Sequence, residues 1–172
     1  MSKGVQGKAN IFQLELMRRI GDFTCQIVKI EIIKIGKCRH AGISEVATEY
    51  IKRLKPHWGI ETVIWKEGDL DSRLTRLFDK QTLVVALDER GKQWTSPALS
   101  QQLKKWTDST SYKKIVFVIG GPYGLSEEFR KKANFIWSLS ESTLPSDFSW
   151  LIVCEQVYRA FTIMRGMAYH HE

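Results

Sequence analysis

The sequence contains few cysteines and no long apolar run. Its three cysteines, Cys25, Cys38 and Cys154, are odd in number, widely separated and form no CxxC pair, so neither a zinc site nor a disulfide framework is indicated. The longest apolar stretches, such as WLIVC at 150–154, are far too short to span a membrane. No signal peptide is recognisable. These absences argue against a membrane protein and a disulfide-rich secreted protein, and we expect a cytoplasmic one.

The glycine-rich segment FVIGGPYGLS at 117–126 lacks the motifs of a nucleotide-phosphate site. It does not contain the GxxxxGK[ST] pattern of a P-loop. The spacing of Gly120, Gly121 and Gly124 does not fit GxGxxG, and the preceding strand is the fourth of the chain, not the first. As a pattern alone, the turn is either structural or the wall of another kind of ligand site.

Hydrophobic periodicity predicts alternating strands and helices. Apolar, β-branched runs predict five strands, at 26–36, 60–65, 82–88, 114–119 and 135–139. Helical spacing or capping residues predict five helices: one with an apolar face from Ile43 to Leu54, a short one marked by Leu70, Leu74, Leu77 and Phe78, one beginning at Ser96-Pro97, one capped by Ser126, and a long one over 147–165. This alternation predicts one α/β domain over residues 26–172, with a mostly parallel sheet between helices. Residues 1–25 are expected to be an extension outside it.

The charge of the chain is uneven. The net charge is +7, and residues 1–40 hold eight Lys or Arg against three acidic residues, which accounts for +5. Clustered positive charge is typical of proteins that bind nucleic acid. Many basic proteins bind none, so charge alone leaves this interpretation open.

The last helix carries a polar stripe, and the tail contains two adjacent histidines. Glu155, Tyr158, Arg159 and Thr162 follow the i, i+3, i+4, i+7 spacing of one helical face. They form either a solvated face with a Glu155–Arg159 pair or a site in which Glu155 holds Arg159 towards a ligand. The adjacent histidines of the YHHE tail do not fit a two-histidine metal site, and no metal is expected.

Five segments together resemble one family. In order and spacing, IEIIKIGK, LDERGKQW, FVIGGPYGL, SLSESTLP and EQVYRAFTIMRGMAYHHE resemble the bacterial pseudouridine N3-methyltransferases of the large ribosomal RNA, of the SPOUT superfamily, over about residues 28–172. The resemblance implies a SPOUT-type α/β knot, with five to six mostly parallel strands and a C-terminal trefoil knot. It also implies a homodimer that binds S-adenosyl-L-methionine and methylates N3 of a pseudouridine in 23S rRNA on the ribosome. A Rossmann-like methyltransferase is disfavoured because no glycine motif follows the first strand.

The resemblance also assigns the candidate site residues. The cofactor contacts carry over onto Leu87, Gly120, Gly121, Leu139, Ser140, Glu141, Ser142, Thr143 and Leu144. Arg159, Tyr169 and His170 are the catalytic candidates, with Arg159 as electrostatic anchor, His170 as a possible base and His171 as a further substrate contact. Because the cofactor approaches the main chain at Gly120, Gly120→Leu is expected to abolish cofactor binding and leave the protein folded.

Two departures from the family pattern concern the start of the last helix. Ser146 and Trp150 stand where the family commonly has His and Arg, so positive or proton-handling groups are expected to be missing from the RNA-facing side. Two alternatives therefore stay open: a SPOUT methyltransferase with another RNA target, and a catalytically silent dimer that binds RNA or ribosomes.

Overall fold

The computed structural model describes residues 28–69, 73 and 77–170. The predicted extension 1–25, Leu70, Leu74 and His171 lie outside the described residues. The elements are β1 (Lys29–Ile35), α1 (Ala41–Leu54), β2 (Ile60–Trp65), β3 (Thr82–Gln93), α2 (Ser96–Asp108), β4 (Lys114–Ile119), α3 (Glu127–Lys132), β5 (Phe135–Ser138) and α4 (Ser146–Met164).

The described strands form one parallel sheet in the order β2-β1-β4-β3-β5. β1 pairs with both β2 and β4, and β3 pairs with both β4 and β5, in every case parallel. The predicted parallel α/β architecture with five strands is confirmed. Because all strands run in one direction, the loops that follow them emerge at the same edge of the sheet, where ligands bind in open α/β folds.

Both faces of the sheet are buried, which explains why β4 and the first half of β3 are apolar almost throughout. One face packs against α1, α2 and α4 through residues such as Ile32, Val85 and Phe117. The opposite face is covered by Leu77 and by Phe129 of α3. Successive strand residues therefore serve two separate cores, and α4 lies between α1 and α2 on the larger one.

Two helix starts follow from side-chain capping. Ser126 caps α3 as predicted, since its hydroxyl accepts a hydrogen bond from the Phe129 N–H at 3.2 Å. The predicted cap of α2 at Ser96 is wrong by one residue. Thr95 caps this helix by accepting from the Ala98 N–H at 3.3 Å, so Ser96 and Pro97 both lie in the first turn. Proline is tolerated there because these N–H groups have no helical partner.

The third strand is longer than predicted. It continues beyond Asp88 to Gln93, with an irregularity between Leu87 and Lys92, after which pairing with β5 resumes. Gly91 permits this, because a Cβ at that position would lie 2.6 Å from the main-chain carbonyl carbon of Ile136. Residues 88–91 therefore form a bulge that does not pair regularly with β5, at the carboxyl end of the sheet where the strand-end loops lie.

Candidate functional site

A cleft of about 530 Å³ opens at the carboxyl ends of β4 and β5, beside the bulge of β3. It is bounded by the glycine-rich turn after β4, the loop after β5 and the first turn of α4. Of the predicted cofactor residues, all except Glu141 line this cleft: Leu87, Gly120, Gly121, Leu139, Ser140, Ser142, Thr143 and Leu144. Three segments that are distant in sequence are therefore brought together.

The glycine-rich turn is closed by the main chain itself. The Gly124 N–H donates to the Gly121 carbonyl at 3.0 Å, and Gly124 has a φ of 73°. A Cβ on Gly120 would lie 2.5 Å from the Gly124 carbonyl carbon, whereas one on Gly121 would make its closest contact at 3.4 Å, with the Ile35 side chain. Gly120 is therefore required by the turn. A side chain at Gly120 would collide with the Gly124 backbone, so we expect Gly120→Leu to displace the turn and destabilise the protein as well as remove cofactor binding.

The loop after β5 is held by its own serines. The Ser138 hydroxyl donates to the Ser140 carbonyl at 2.8 Å, and the Ser142 N–H donates to the Ser140 hydroxyl at 3.0 Å. Leu139 and Leu144 of the loop add apolar side chains to the cleft wall. The cleft thus combines apolar walls with an ordered main chain, which is the composition that small organic ligands require.

An ion-paired carboxylate stands at the third side of the cleft. Asp88 pairs with Arg90 at 2.8 Å and with Arg130 at 3.2 Å. Burial acts to raise the pKa of Asp88, but hydrogen bonds from the Arg90 side chain and backbone, with the charge of Arg130, outweigh it and hold that pKa below its usual range. Asp88 is therefore a charged residue that fixes the bulged segment.

The three predicted catalytic residues lie in one cluster on α4 and the tail. Glu155 Oε1 accepts from Arg159 Nε at 2.8 Å and Nη2 at 2.6 Å, and from the Tyr169 hydroxyl at 3.1 Å. Arg159 Nη1 lies 3.3 Å from Nδ1 of His170, and its guanidinium stacks 4.8 Å from the centroid of the Tyr169 ring. Tyr50 of α1 closes the cluster, 3.3 Å from the Tyr169 hydroxyl.

The hydrogen bonds of the cluster assign donors and acceptors. Arginine has only donors, so Nδ1 of His170 can only accept in their contact, and the tautomer that accepts there has its N–H at Nε2. Burial, followed by hydrogen bonding to Tyr50 and the charge of Glu155, raises the pKa of Tyr169 above its usual range. Tyr169 therefore remains a protonated donor, and Arg159 stays charged beside Glu155, whose hydrogen bond raises the arginine pKa further.

The cluster and the cleft are separate within one chain. Arg159, Tyr169 and His170 are absent from the cleft lining, and Ser149 is the last α4 residue that contributes to it. At a helical rise of 1.5 Å per residue, Arg159 lies about 15 Å farther along α4 than Ser149.

Comparison with known proteins identifies the family. The sequence model described as "Predicted SPOUT methyltransferase" matches residues 28–170. The chain belongs to the SPOUT methyltransferase family. This membership and the all-parallel sheet confirm the predicted fold class and the assignment as a methyltransferase; the knot itself stays a prediction. The methyl donor of the family is S-adenosylmethionine.

Several SPOUT relatives match over nearly their whole length. The chain is 33% identical to a putative ribosomal RNA large subunit methyltransferase H of Methanospirillum hungatei, covering 84% of this chain and 99% of that protein. It is 34% identical to the ribosomal RNA large subunit methyltransferase H of Thioalkalivibrio sulfidiphilus, covering 84% and 100%. The solved structure of a probable methyltransferase from Bordetella pertussis shares the fold, with a TM-score of 0.53, 17% identity, and coverage of 78% of this chain and 95% of that one.

Sequence reasoning missed a buried ion pair at the start of α4. Lys34, with a side chain only 1% exposed, lies on the interior strand β1, and its Nζ is 2.9 Å from Asp147 Oδ1. Asp147 also accepts from the Arg39 N–H at 2.9 Å. The available signal was a lysine inside the apolar run of a central strand, a position where charge is rarely tolerated without a partner.

The two departures from the family pattern lie in different environments. Ser146 lines the cleft. Trp150 is 2% exposed and belongs to the larger core, and its indole Nε1 has no hydrogen-bond partner within the described part of the chain. Trp150 therefore contributes packing and is not exposed to a ligand of this chain.

The described residues hold no cluster of three or more His, Cys, Asp or Glu side chains placed to bind a metal ion. None of the helices in 28–69 and 77–170 is long and apolar enough to cross a membrane.

Proposed function

We propose that this SPOUT methyltransferase uses S-adenosylmethionine to methylate N3 of a pseudouridine in 23S rRNA. The observation that carries the proposal is the convergence of the predicted cofactor residues on one cleft. The names of the relatives, ribosomal RNA large subunit methyltransferases H, support a ribosomal RNA substrate. Such an enzyme acts where ribosomes are, in the cytoplasm.

The residues of the cleft fit the proposed cofactor. Its volume of about 530 Å³ lies within the range of small-molecule sites. Leu87, Leu139 and Leu144 would enclose the adenine, and main-chain groups of 139–144 would meet its polar edge. The Gly120–Gly121 main chain, which carries no side chains of its own, would form the remaining wall. Glu141 does not line the cleft. Its side chain would therefore not contact the cofactor, and it would contribute only as part of the loop backbone.

The chemistry divides between the cofactor and the chain. When bound, S-adenosylmethionine supplies a methyl group already activated on a sulfonium. The chain must hold the acceptor nitrogen in line with the methyl group and stabilise the negative charge left on the nucleobase when the N3 proton passes to a general base or to water. Arg159 supplies a fixed positive charge, and His170 would donate its Nε2–H to a carbonyl oxygen of the nucleobase. For His170 to accept the N3 proton at Nδ1 as the general base, its contact with Arg159 must first break.

The separation of cluster and cleft supports a homodimer. A nucleobase held by Arg159 and His170 does not reach the cleft of the same chain, because the cluster and the cleft lie about 15 Å apart along α4. In a dimer, the cluster of one protomer can face the cleft of its partner. The homodimer would then be part of the catalytic arrangement, since each cleft would be incomplete without a second copy.

An exposed aromatic residue at the cleft supports an RNA acceptor. Tyr123 lines the cleft and is 97% exposed, although a tyrosine ring normally buries apolar surface. Unpaired RNA bases are commonly held by stacking on such rings. Tyr123 is therefore the residue on which a base near the acceptor would stack.

The decisive experiment compares the 23S rRNA of wild-type and deletion strains by mass spectrometry. We expect one pseudouridine to lose a single methyl group in the deletion strain, and the purified protein with S-adenosylmethionine to restore it on large ribosomal subunits from that strain. His170→Ala is expected to slow single-turnover methylation while cofactor affinity, measured by calorimetry, is unchanged. Normal single-turnover methylation by this variant would remove His170 from the mechanism.

The position of Ser146 favours one alternative, a different RNA target. This residue lines the cleft where the family commonly has His, so the contacts that select the acceptor are altered. Tritiated methyl groups appearing in transfer RNA instead of 23S rRNA would establish that target. Ribosome binding without methyl transfer to any RNA would establish a silent binding dimer.

A further inference from the structure

A second cleft, of about 420 Å³, adjoins the first one. It lies between the loop that joins β1 to α1 and the first turn of α4, and we call it the basic cleft. Pro122, Pro145 and Ser146 line both clefts, so they form a shared wall. A ligand in the basic cleft is therefore next to any ligand in the cofactor cleft.

The floor of the basic cleft is fixed by the Lys34–Asp147 pair. The Lys34 ammonium lies 2.9 Å from Asp147 and donates to the carbonyls of Gly36 at 2.9 Å and Lys37 at 3.3 Å. Its three protons are therefore all used. Burial acts to raise the pKa of Asp147, but hydrogen bonds from Lys34 and the Arg39 N–H outweigh it and keep the carboxyl ionised. The pair is neutral as a whole and ties the loop to α4.

The rim of the basic cleft carries two cationic side chains that form no ion pair within the described residues. These are Lys37 and Arg39, which line the cleft and are exposed, with the exposed His40 beside them. His40 is also the N-cap of the 14-residue helix α1, whose first turn contains no acidic residue. The one unpaired acid among the lining residues is Glu67.

We infer that the basic cleft binds a backbone phosphate of the RNA, beside the nucleotide that enters the cofactor cleft. This inference rests on the proposed function, because the shared wall gives a bound phosphate its place next to the acceptor. Exposed Lys and Arg side chains on an ordered loop are the usual ligands of RNA phosphates, which fix the register of the strand without reading its sequence. Lys37 and Arg39 contact the phosphate, and the negative charge of Glu67 repels it.

The test removes charge inside and outside the basic cleft by equal amounts. The cleft variant is Lys37→Gln/Arg39→Gln, and its control is Lys52→Gln/Lys55→Gln, which removes the same charge from exposed positions at the other end of α1, about 20 Å away. Glu67→Gln provides a change of opposite sign. Binding to unmethylated large ribosomal subunits is measured without cofactor, as a function of KCl concentration at constant magnesium.

We expect the cleft variant to bind at least about tenfold more weakly and to lose about one unit of salt slope for each contact removed. The control should change affinity less than about twofold, and Glu67→Gln should strengthen binding because it removes a repelling charge. Calorimetry with S-adenosylmethionine should give wild-type affinity for the cleft variant, which would show that it is folded.

Equal losses in the cleft variant and the control would overturn the inference, since general charge would then explain both. Weaker binding by Glu67→Gln would also overturn it. These outcomes leave the proposed function intact as long as the wild-type protein methylates the subunits. Failure of the wild type to transfer a methyl group to 23S rRNA would instead overturn the proposed function, whatever the binding results.

Discussion

Replacing Lys34 by methionine is expected to destabilise the protein strongly. Methionine matches the length of the lysine stem, so the substitution removes the charge with little change in volume. At the observed 2.9 Å separation from Asp147, the Coulomb attraction is about 6 kcal/mol if the effective dielectric constant is about 20. Removing one partner of a buried pair typically costs about 3–5 kcal/mol, because the other charge stays buried without compensation. We expect a loss in this range, measured by urea unfolding near neutral pH.

Two further variants separate the ion pair from simple packing. Asp147→Asn should also be destabilising, whereas the double variant Lys34→Met/Asp147→Asn should lose less than the sum of the two single changes, by roughly 2–3 kcal/mol. Lys52→Met, an exposed position on α1, is the control and should change the free energy of unfolding by less than about 0.5 kcal/mol. A Lys34→Met loss below about 1 kcal/mol, or additive single effects, would refute the reasoning.

The pH dependence of stability gives the same pair an independent signature. The pKa of Asp147 is lower in the folded protein than its usual value, so the folded state favours the ionised carboxyl. Its contribution is complete above the unfolded pKa of about 3.9 and is lost as the pH falls through the folded value. The wild type should therefore lose more stability on acidification than Asp147→Asn does. Identical acid profiles would contradict this assignment.

The remaining predictions concern the turn, the core, the cluster and the exposed aromatic. Gly120→Ala should cost roughly 3 kcal/mol in urea unfolding because its Cβ meets the Gly124 backbone, whereas Gly121→Ala should cost less than about 1 kcal/mol; equal costs would contradict this. Trp150→Ala should lower the free energy of unfolding by about 3–5 kcal/mol in the same assay. A much smaller loss would show that neighbouring side chains move into the space that the indole leaves. Glu155→Gln should lower kcat by up to about 100-fold with cofactor affinity unchanged in calorimetry, since Arg159 loses its anchor; an unchanged kcat would count against the cluster. Tyr123→Ala should weaken RNA binding by about 1–3 kcal/mol without affecting stability, and unchanged binding would refute stacking.

Local sequence patterns were sufficient to predict most of the fold. β2 and β4 have the bounds that their β-branched, largely apolar runs predicted, and the interior strand β4 is buried from Ile115 to Ile119. The end of β3 was not predictable in the same way, since residues 89–93 are polar and glycine-containing. Their pairing depends on how closely the β5 backbone approaches Gly91, and only the folded chain determines that distance.

The candidate site was predictable in part, and for a different reason. The cofactor residues came from a resemblance whose motifs lie at strand ends, and parallel strands bring such ends together. Lys34 and Asp147 are 113 positions apart in the sequence, and the resemblance assigned a role to neither of them. A lysine in an apolar strand signals a buried partner, but many acids in the chain could supply it. Choosing Asp147 requires the position of α4 over β1.

The first turn of α4 connects the two clefts physically. Pro145 and Ser146 face both, while Asp147 turns inward to the buried ion pair. The ion pair therefore holds the shared wall in place from below, and the β1–α1 loop is held by the same carboxylate through the Arg39 N–H. A departure from the family pattern at Ser146 changes the wall itself, where acceptor and cofactor would meet. A departure at Trp150, four residues later, changes only the core on which that wall rests.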